Sequence, residues 1–384
     1  MEPILALVLC GIDVLIRDDF RQLEGSRVAL ITNHTGRTAD GRSTIDVLHA
    51  ADNLELVRLF APEHGLRGLL DEPIADETDP RTGLKVYSLY NPGAGDGRFR
   101  PTTAQLEGVD TLVFDIQDIG TRFYTYVGTM GYAMEVAAEK GLRFVVLDRP
   151  NPVGGVAVEG PVADERHLGL TAYHPIALRH GMTAGELAKL FNGERNLGVN
   201  LEVIKVEGWR RDMLWEQTGL TWVNPSPNMR TLNQALLYPG VALIEASNVS
   251  VGRGTDTPFE LIGAPWINGR ELAARMNALN LPGVAIYPIE FTPDSSRFVG
   301  EKCQGIQILV TDRARLNPIR LGSELAAMLG RLYPEWQEER LVRLVQNDQA
   351  ARDILAGGYD LAEPRWRPRL EEFERIRERY LIYR

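Results

Sequence analysis

Glu63 and His64 stand where a short apolar run breaks, in the stretch LELVRLFAPEHGLRG at 54–68. The run is apolar on both faces apart from Arg58, stops at Pro62 and presents charged groups before Gly65. That pattern fits the carboxyl end of a strand in a parallel sheet, where open α/β folds place their ligands. A lone Glu-His pair is more often a solvated turn. Three further runs end the same way, however. Residues 27–32 lead into Asn33 and His34. Residues 110–114 lead into Asp115, Asp118, Arg122 and Tyr124, and residues 143–147 into Asp148, Arg149 and Asn151. In one parallel sheet the four ends share an edge and converge on one cleft. Capping of the following helices accounts for some of these groups, Asp148 and Thr121 in particular. It does not account for His64, Arg122, Tyr124 and Tyr126 together. Aromatic faces beside carboxylates and amides suit a sugar, with its apolar C–H faces and many hydroxyls. Two carboxylates flanking a glycosidic bond are the most economical chemistry.

Other catalytic plans lack their residues. There is no G-x-S-x-G elbow, no H-E-x-x-H and no Walker A loop. The six histidines are dispersed, and spacing gives a zinc site from His34, His64 and His180 no support. No metal and no cofactor is expected. The run GAGDG at 93–97 lacks a preceding strand and a following helix, so it is not a nucleotide fingerprint.

The elements that must position these residues alternate along the chain. Strands are expected at 27–32, 56–60, 85–89, 110–114, 143–147 and 201–206. Helices are expected at 18–23, after the cap Ser43, from Val127 to a stop at Gly141, and from the capping box Thr183 to Glu186. This alternation implies βαβ units and a mostly parallel sheet. The prolines in Asn224 to Met229 preset a rigid turn. Composition shifts near Tyr238. Beyond it strands are expected at 241–245, 284–291 and 306–312, and helices at 269–279, 321–332 and 370–384.

Composition bounds the rest. A chain of 384 residues implies about two domains. A net charge of −10 argues against nucleic-acid binding, which needs clustered Lys and Arg. Two cysteines make no disulfide framework. The apolar run 4–10 has no basic n-region or cleavage site, so neither a signal peptide nor a membrane span is expected. The chain as it stands reads as cytoplasmic, or as secreted or periplasmic if a leader has been removed.

In order along the chain, GIDVL, ITNHTG, APEHGLRG, LVFDIQDIGTRFYTY, VVLDRPNPVGG, VEGP, RHGMTAGELA, PSPNM and SVGRGTDTPFE resemble the bacterial exo-β-N-acetylmuramidases. That family was long carried as a domain of unknown function. The resemblance runs from Gly11 to Trp266 and is looser beyond. It implies an α/β protein with a Rossmann-like, mostly parallel sheet domain (1–237) and a smaller C-terminal α/β domain (238–384), the active site lying in the cleft between them. It further implies release of terminal β-1,4-linked N-acetylmuramic acid from the non-reducing end of peptidoglycan fragments, with glutamates as catalytic groups. Glu63, in APEHG, is the first catalytic candidate. Glu159, in VEGP, and Glu135, on a helix beside Gly128 and Gly131, compete for the second role. The lactyl carboxylate of muramic acid calls for a cation, and Arg122, Arg149 and Arg253 are the candidates. Asn33, His34, Asn151, His180 and Asn228 would meet hydroxyls and the acetamido group, with His64, Asp115, Asp118, Tyr124 and Asp148 completing the lining. Two rivals remain at this stage. One is a non-catalytic muropeptide or sugar receptor. The other is an oxidoreductase, against which the missing G-x-G-x-x-G after 27–32 counts.

Overall fold

The computed structural model describes residues 8–68, 76–90 and 99–384. Its first part contains α1 (Gly11–Arg17), β1 (Arg27–Thr32), α2 (Thr44–His49), β2 (Glu55–Ala61), β3 (Glu77–Thr78) and β4 (Lys85–Ser88). There follow β5 (Thr111–Asp115), α3 (Tyr126–Lys140), β6 (Arg143–Leu147), α4 (Ala184–Glu194) and β7 (Asn200–Ile204). The described strands form one sheet in the order β3-β4-β2-β1-β5-β6-β7, parallel except for the β3–β4 pair. The chain runs from β1 outward to one side and returns to place β5 on the other. The ends of β1 and β5 therefore flank the point where strand order reverses.

Strand pleating explains the two-sided core. Ala29 and Ile31 join Phe60, Phe114 and Val146 on the face covered by α3 and α4. Val28 and Leu30 join Leu59, Val113 and Val145 on the face covered by α1 and α2. β5, apolar from Leu112 to Phe114 and covered on both faces, is buried along its whole length for this reason.

The second part contains α5 (Leu232–Val241), β8 (Leu261–Ala264), α6 (Gly269–Asn277), β9 (Val284–Phe291), β10 (Cys303–Val310), α7 (Pro318–Leu332), α8 (Val342–Val345), α9 (Asp348–Gly357) and α10 (Tyr359–Glu378). β8, β10 and β9 make a small antiparallel sheet. Its Ile262, Ile306 and Ile308 belong to the same apolar cluster as Phe114 and Val146 of the large sheet. The chain is thus an α/β protein whose smaller C-terminal part shares a core with its Rossmann-like part.

Three expected elements differ from those observed. Residues 241–245 are helical: α5 runs into a single 3-10 turn at Ala242–Ile244, and Glu245 keeps helical angles. A short apolar run cannot by itself distinguish a buried helix from a strand. Here the capping box of Thr231 and Gln234 decides for helix. Gly240 allows α5 to touch α7, since a Cβ there would lie 1.7 Å from the Pro318 carbonyl oxygen. The helix expected at 18–23 is a 3-10 turn at Arg21–Leu23, and the preceding α-helix starts at Gly11. The C-terminal helix begins at Tyr359, includes Pro364 and Pro368, and ends at Glu378. The two prolines hid its first half.

The last residues are bound rather than loose. Asp148, at the end of β6, accepts from Tyr383 Oη (2.6 Å), Thr183 Oγ1 (2.7 Å) and Gly185 N (2.8 Å). Glu186 accepts from Ile382 N at 2.8 Å and Arg211 Nη1 at 2.6 Å. Burial pushes the Asp148 carboxyl up to about 6. The folded chain then holds a proton that the unfolded chain, with an ordinary value near ~3.9, has already lost. Stability contributed at Asp148 accordingly falls as the pH rises from about 4 to about 6. Asp148→Asn is expected to flatten that segment of a urea-unfolding pH profile, and identical slopes in both proteins would contradict this.

Candidate active site

Glu63 follows β2 directly, and the turn behind it is tight: His64 takes φ 69° and Gly65 φ 70°. A left-handed non-glycine residue costs backbone energy and is retained where its side chain must be aimed. Glu63 Oε2 accepts from Thr125 Oγ1 at 2.6 Å, tying the end of β2 to the entry of α3. Glu63 and His64 line a cavity of ≈ 330 Å³ with Tyr124, Tyr238, Phe259, Glu245 and Arg253. Its floor is a set of edge-on rings: Tyr124 and Tyr238 lie 5.8 Å apart, Tyr238 and Phe259 4.7 Å. On the same cavity, Glu245 Oε1 and Arg253 Nε form an ion pair at 2.5 Å. The Arg253 guanidinium also lies 5.9 Å from the Phe259 ring centre.

The cavity thus holds two glutamates, one on a hydroxyl and one on an arginine, over aromatic rings. The sequence offers Glu245 only as an ion-pair partner for Arg253, and not as a catalytic candidate, because 241–245 reads as a strand. In a helix, Tyr238 and Glu245 stand at i and i+7 on one face, and that spacing was the available signal.

Of the residues expected at the site, Glu63, His64, Tyr124 and Arg253 line this cavity. His34 lies beside it, with Nε2 2.6 Å from the Asn224 carbonyl oxygen. The two rivals for the second carboxylate are elsewhere. Glu159 pairs with Arg179 at 3.0 Å and lines a separate cavity with Arg211 and Arg313. Glu135 is held by Arg195 at 2.8 Å and Tyr173 Oη at 2.9 Å.

Most of the remaining polar residues support the backbone. Arg122 is fully buried and donates to the carbonyls of Pro161, Ile176 and Val345 at 2.7–2.8 Å, which fastens α8 to the first part of the chain. Arg149 forms a buried pair with Asp115 at 2.5 Å. Asn33 accepts from Thr35 N and Asn151 donates to the Met182 carbonyl, both at 2.9 Å. Asp118 accepts from Gly120 N at 2.7 Å, and His180 Nδ1 from Met182 N at 3.1 Å. Asp148 accepts from Thr183 and Gly185 at the start of α4 and from Tyr383, as described above. Asn228 is buried in the 224–229 turn. Polar groups out of water must find partners, and loops at strand ends have many backbone groups to offer. Arg122, Arg149, Asp115 and Asp148 are thus held by partners within the protein and do not line the Glu63 cavity.

Among the described residues one trio, Asp164, His167 and Asp348, brings metal-ligand atoms within 4.8 Å of one another. Its carboxylates are already engaged by Arg369 (2.7 Å), by Arg166 and by His167 itself (2.5 Å).

An α/β sheet whose carboxyl edge carries carboxylates over aromatic rings, closed from the far side by a second layer, is the build of a sugar-processing protein. Two family models match the chain: exo-beta-N-acetylmuramidase NamZ, N-terminal, over residues 28–233, and exo-beta-N-acetylmuramidase NamZ, C-terminal, over residues 236–383. The chain belongs to this family. It is 42% identical over 393 residues to the peptidoglycan beta-N-acetylmuramidase NamZ of Bacillus subtilis (strain 168), covering 98% of this chain and 91% of that protein. Two crystal structures of DUF1343 family proteins from Bacteroides fragilis NCTC 9343 share the fold. One has a TM-score of 0.90 at 36% identity, covering 98% of this chain and 99% of the other. The second has a TM-score of 0.77 at 29% identity, covering 99% of both.

Proposed function

We propose that this chain is an exo-acting glycoside hydrolase that releases terminal β-1,4-linked N-acetylmuramic acid from peptidoglycan fragments. The observation that carries this reading is the placing of Glu63 and Glu245 on one aromatic-floored cavity. Glu63 transfers a proton at the glycosidic oxygen, and Thr125 fixes its carboxylate from one side. Glu245, oriented by Arg253, is the second carboxylate and faces the developing positive charge of the sugar ring. Tyr124, Tyr238 and Phe259 pack on the apolar faces of the sugar. Residues before 238 supply Glu63 and Thr125, and residues from 238 on supply Tyr238, Glu245, Arg253 and Phe259, so both parts of the chain are needed. The name of the Bacillus relative supports the substrate class.

The test is incubation with a chromogenic β-N-acetylmuramide beside the matching β-N-acetylglucosaminide. Release of chromophore from the muramide at a far higher kcat/KM is expected. Binding of the sugar without any turnover would instead make the chain a receptor.

A further inference from the structure

The three cations expected to recognise a lactyl carboxylate are already engaged. Arg122 holds carbonyl oxygens, Arg149 holds Asp115, and Arg253 holds Glu245. A second cavity, of ≈ 610 Å³, adjoins the first, with Glu245 and Arg253 lining both. Its far side is Ser296, Arg297 and Phe298, facing Val249 and Val251. Arg297 is half-buried, and among the described residues it has no carboxylate at ion-pair distance and no hydrogen-bond partner. Burial, helped by repulsion from Arg340, pushes its guanidinium below the usual value. A partly desolvated cation without a counter-charge carries an electrostatic cost that an anionic ligand would relieve.

The backbone around Arg297 is specially shaped. Ser296 and Phe298, on either side of it, take φ 65° and 60°. Left-handed angles are uncommon for non-glycine residues and unusual for a bulky one. Among the described residues ten non-glycine positions have positive φ; His64 and Phe259 line the first cavity, and Ser296 and Phe298 the second. The loop is also locked to the Arg253 loop. Asp294 N donates to the Gly254 carbonyl at 2.8 Å, and a Cβ on Gly254 would lie 2.4 Å from the Ser295 carbonyl oxygen. Strain held in place by such packing marks sites where a side chain must be aimed.

Building on the glycosidase reading, we propose that Arg297 is the carboxylate-binding residue of the site. It receives the lactyl carboxylate of the terminal sugar, while Val249, Val251 and Phe298 take the lactyl methyl. A guanidinium offers a bidentate fork to a carboxylate, and the apolar wall suits the methyl that accompanies it.

Arg297→Gln and Arg297→Lys in the full chain test this, with kcat/KM measured on both chromogenic sugars. Arg297→Gln should lower the muramide value roughly 10- to 100-fold, mainly through KM, and far more than the glucosaminide value. Arg297→Lys should recover part of the loss. A parallel calorimetric comparison uses Glu63→Gln with and without Arg297→Gln, titrated with free N-acetylmuramic acid and with N-acetylglucosamine. Weaker binding of the muramic acid alone supports the assignment. Equal losses on both sugars, or none, overturn it. A wild-type chain that splits neither sugar overturns the glycosidase reading instead, and the calorimetric pair then still decides the role of Arg297.

Discussion

Glu63→Gln is expected to lower kcat on the chromogenic muramide by at least ~10²-fold while the melting curve stays in place. Removing a group that transfers a proton in the transition state costs about 10²- to 10⁴-fold. Glutamine keeps the size of the side chain and a carbonyl oxygen that can still accept from Thr125 Oγ1, now at 2.6 Å from the carboxylate. The tie between β2 and α3 therefore survives, and with it the fold. What is lost is the transferable proton. The half-buried position of Glu63, at a cavity wall rather than in the core, argues for the same separation of activity from stability. A variant with near-normal turnover would remove Glu63 from the mechanism. A large drop in melting temperature would show that the Thr125 contact was the main role.

The sheet was readable in the sequence because its signal is local. β1, β6 and β9 have the expected bounds, and α3 ends at Gly141, which takes φ 67°. Polar groups at the strand ends were readable too, but not their partners. Asp148 and Arg149 differ little from Glu63 as letters in a sequence. Only the fold shows that Thr183, Gly185 and Tyr383 surround Asp148, and Tyr383 comes from the far end of the chain. Contacts at such separation leave no local pattern. Arg297 escaped notice for a related reason: its interest lies in lacking a counter-charge and in the angles of Ser296 and Phe298, neither of which composition reveals. The GAGDG run at 93–97 lies outside the described residues, as does part of the polar stretch around it.

The second carboxylate separates most sharply by mutation. Glu245→Gln is expected to cost on the order of 10²-fold or more in kcat, whereas Glu159→Gln and Glu135→Gln should keep turnover and lose stability. The argument starts from what each glutamate holds. Glu159 and Arg179 are both largely buried, on backbone segments that pair with each other, so breaking them leaves an uncompensated charge. One-sided removal of a buried pair costs about 3 kcal/mol or more. Glu135 joins Tyr173 and Arg195 on the flank of α3, again without facing Glu63. Glu245 alone of the three shares the cavity with Glu63, and its pair with Arg253 fixes where its charge sits. Glu245 also holds that loop, so Glu245→Gln alone could lower activity by letting Arg253 swing away. Glu245→Ala resolves this, because it leaves space for a small anion beside the guanidinium. Added formate should restore part of the Glu245→Ala rate if the carboxylate acts on the sugar, as a diffusible carboxylate can occupy the vacated volume. No recovery with formate, together with a rise in KM and an unchanged kcat, would make Glu245 a residue that positions Arg253 and would return the search for the second carboxylate to the cavity wall.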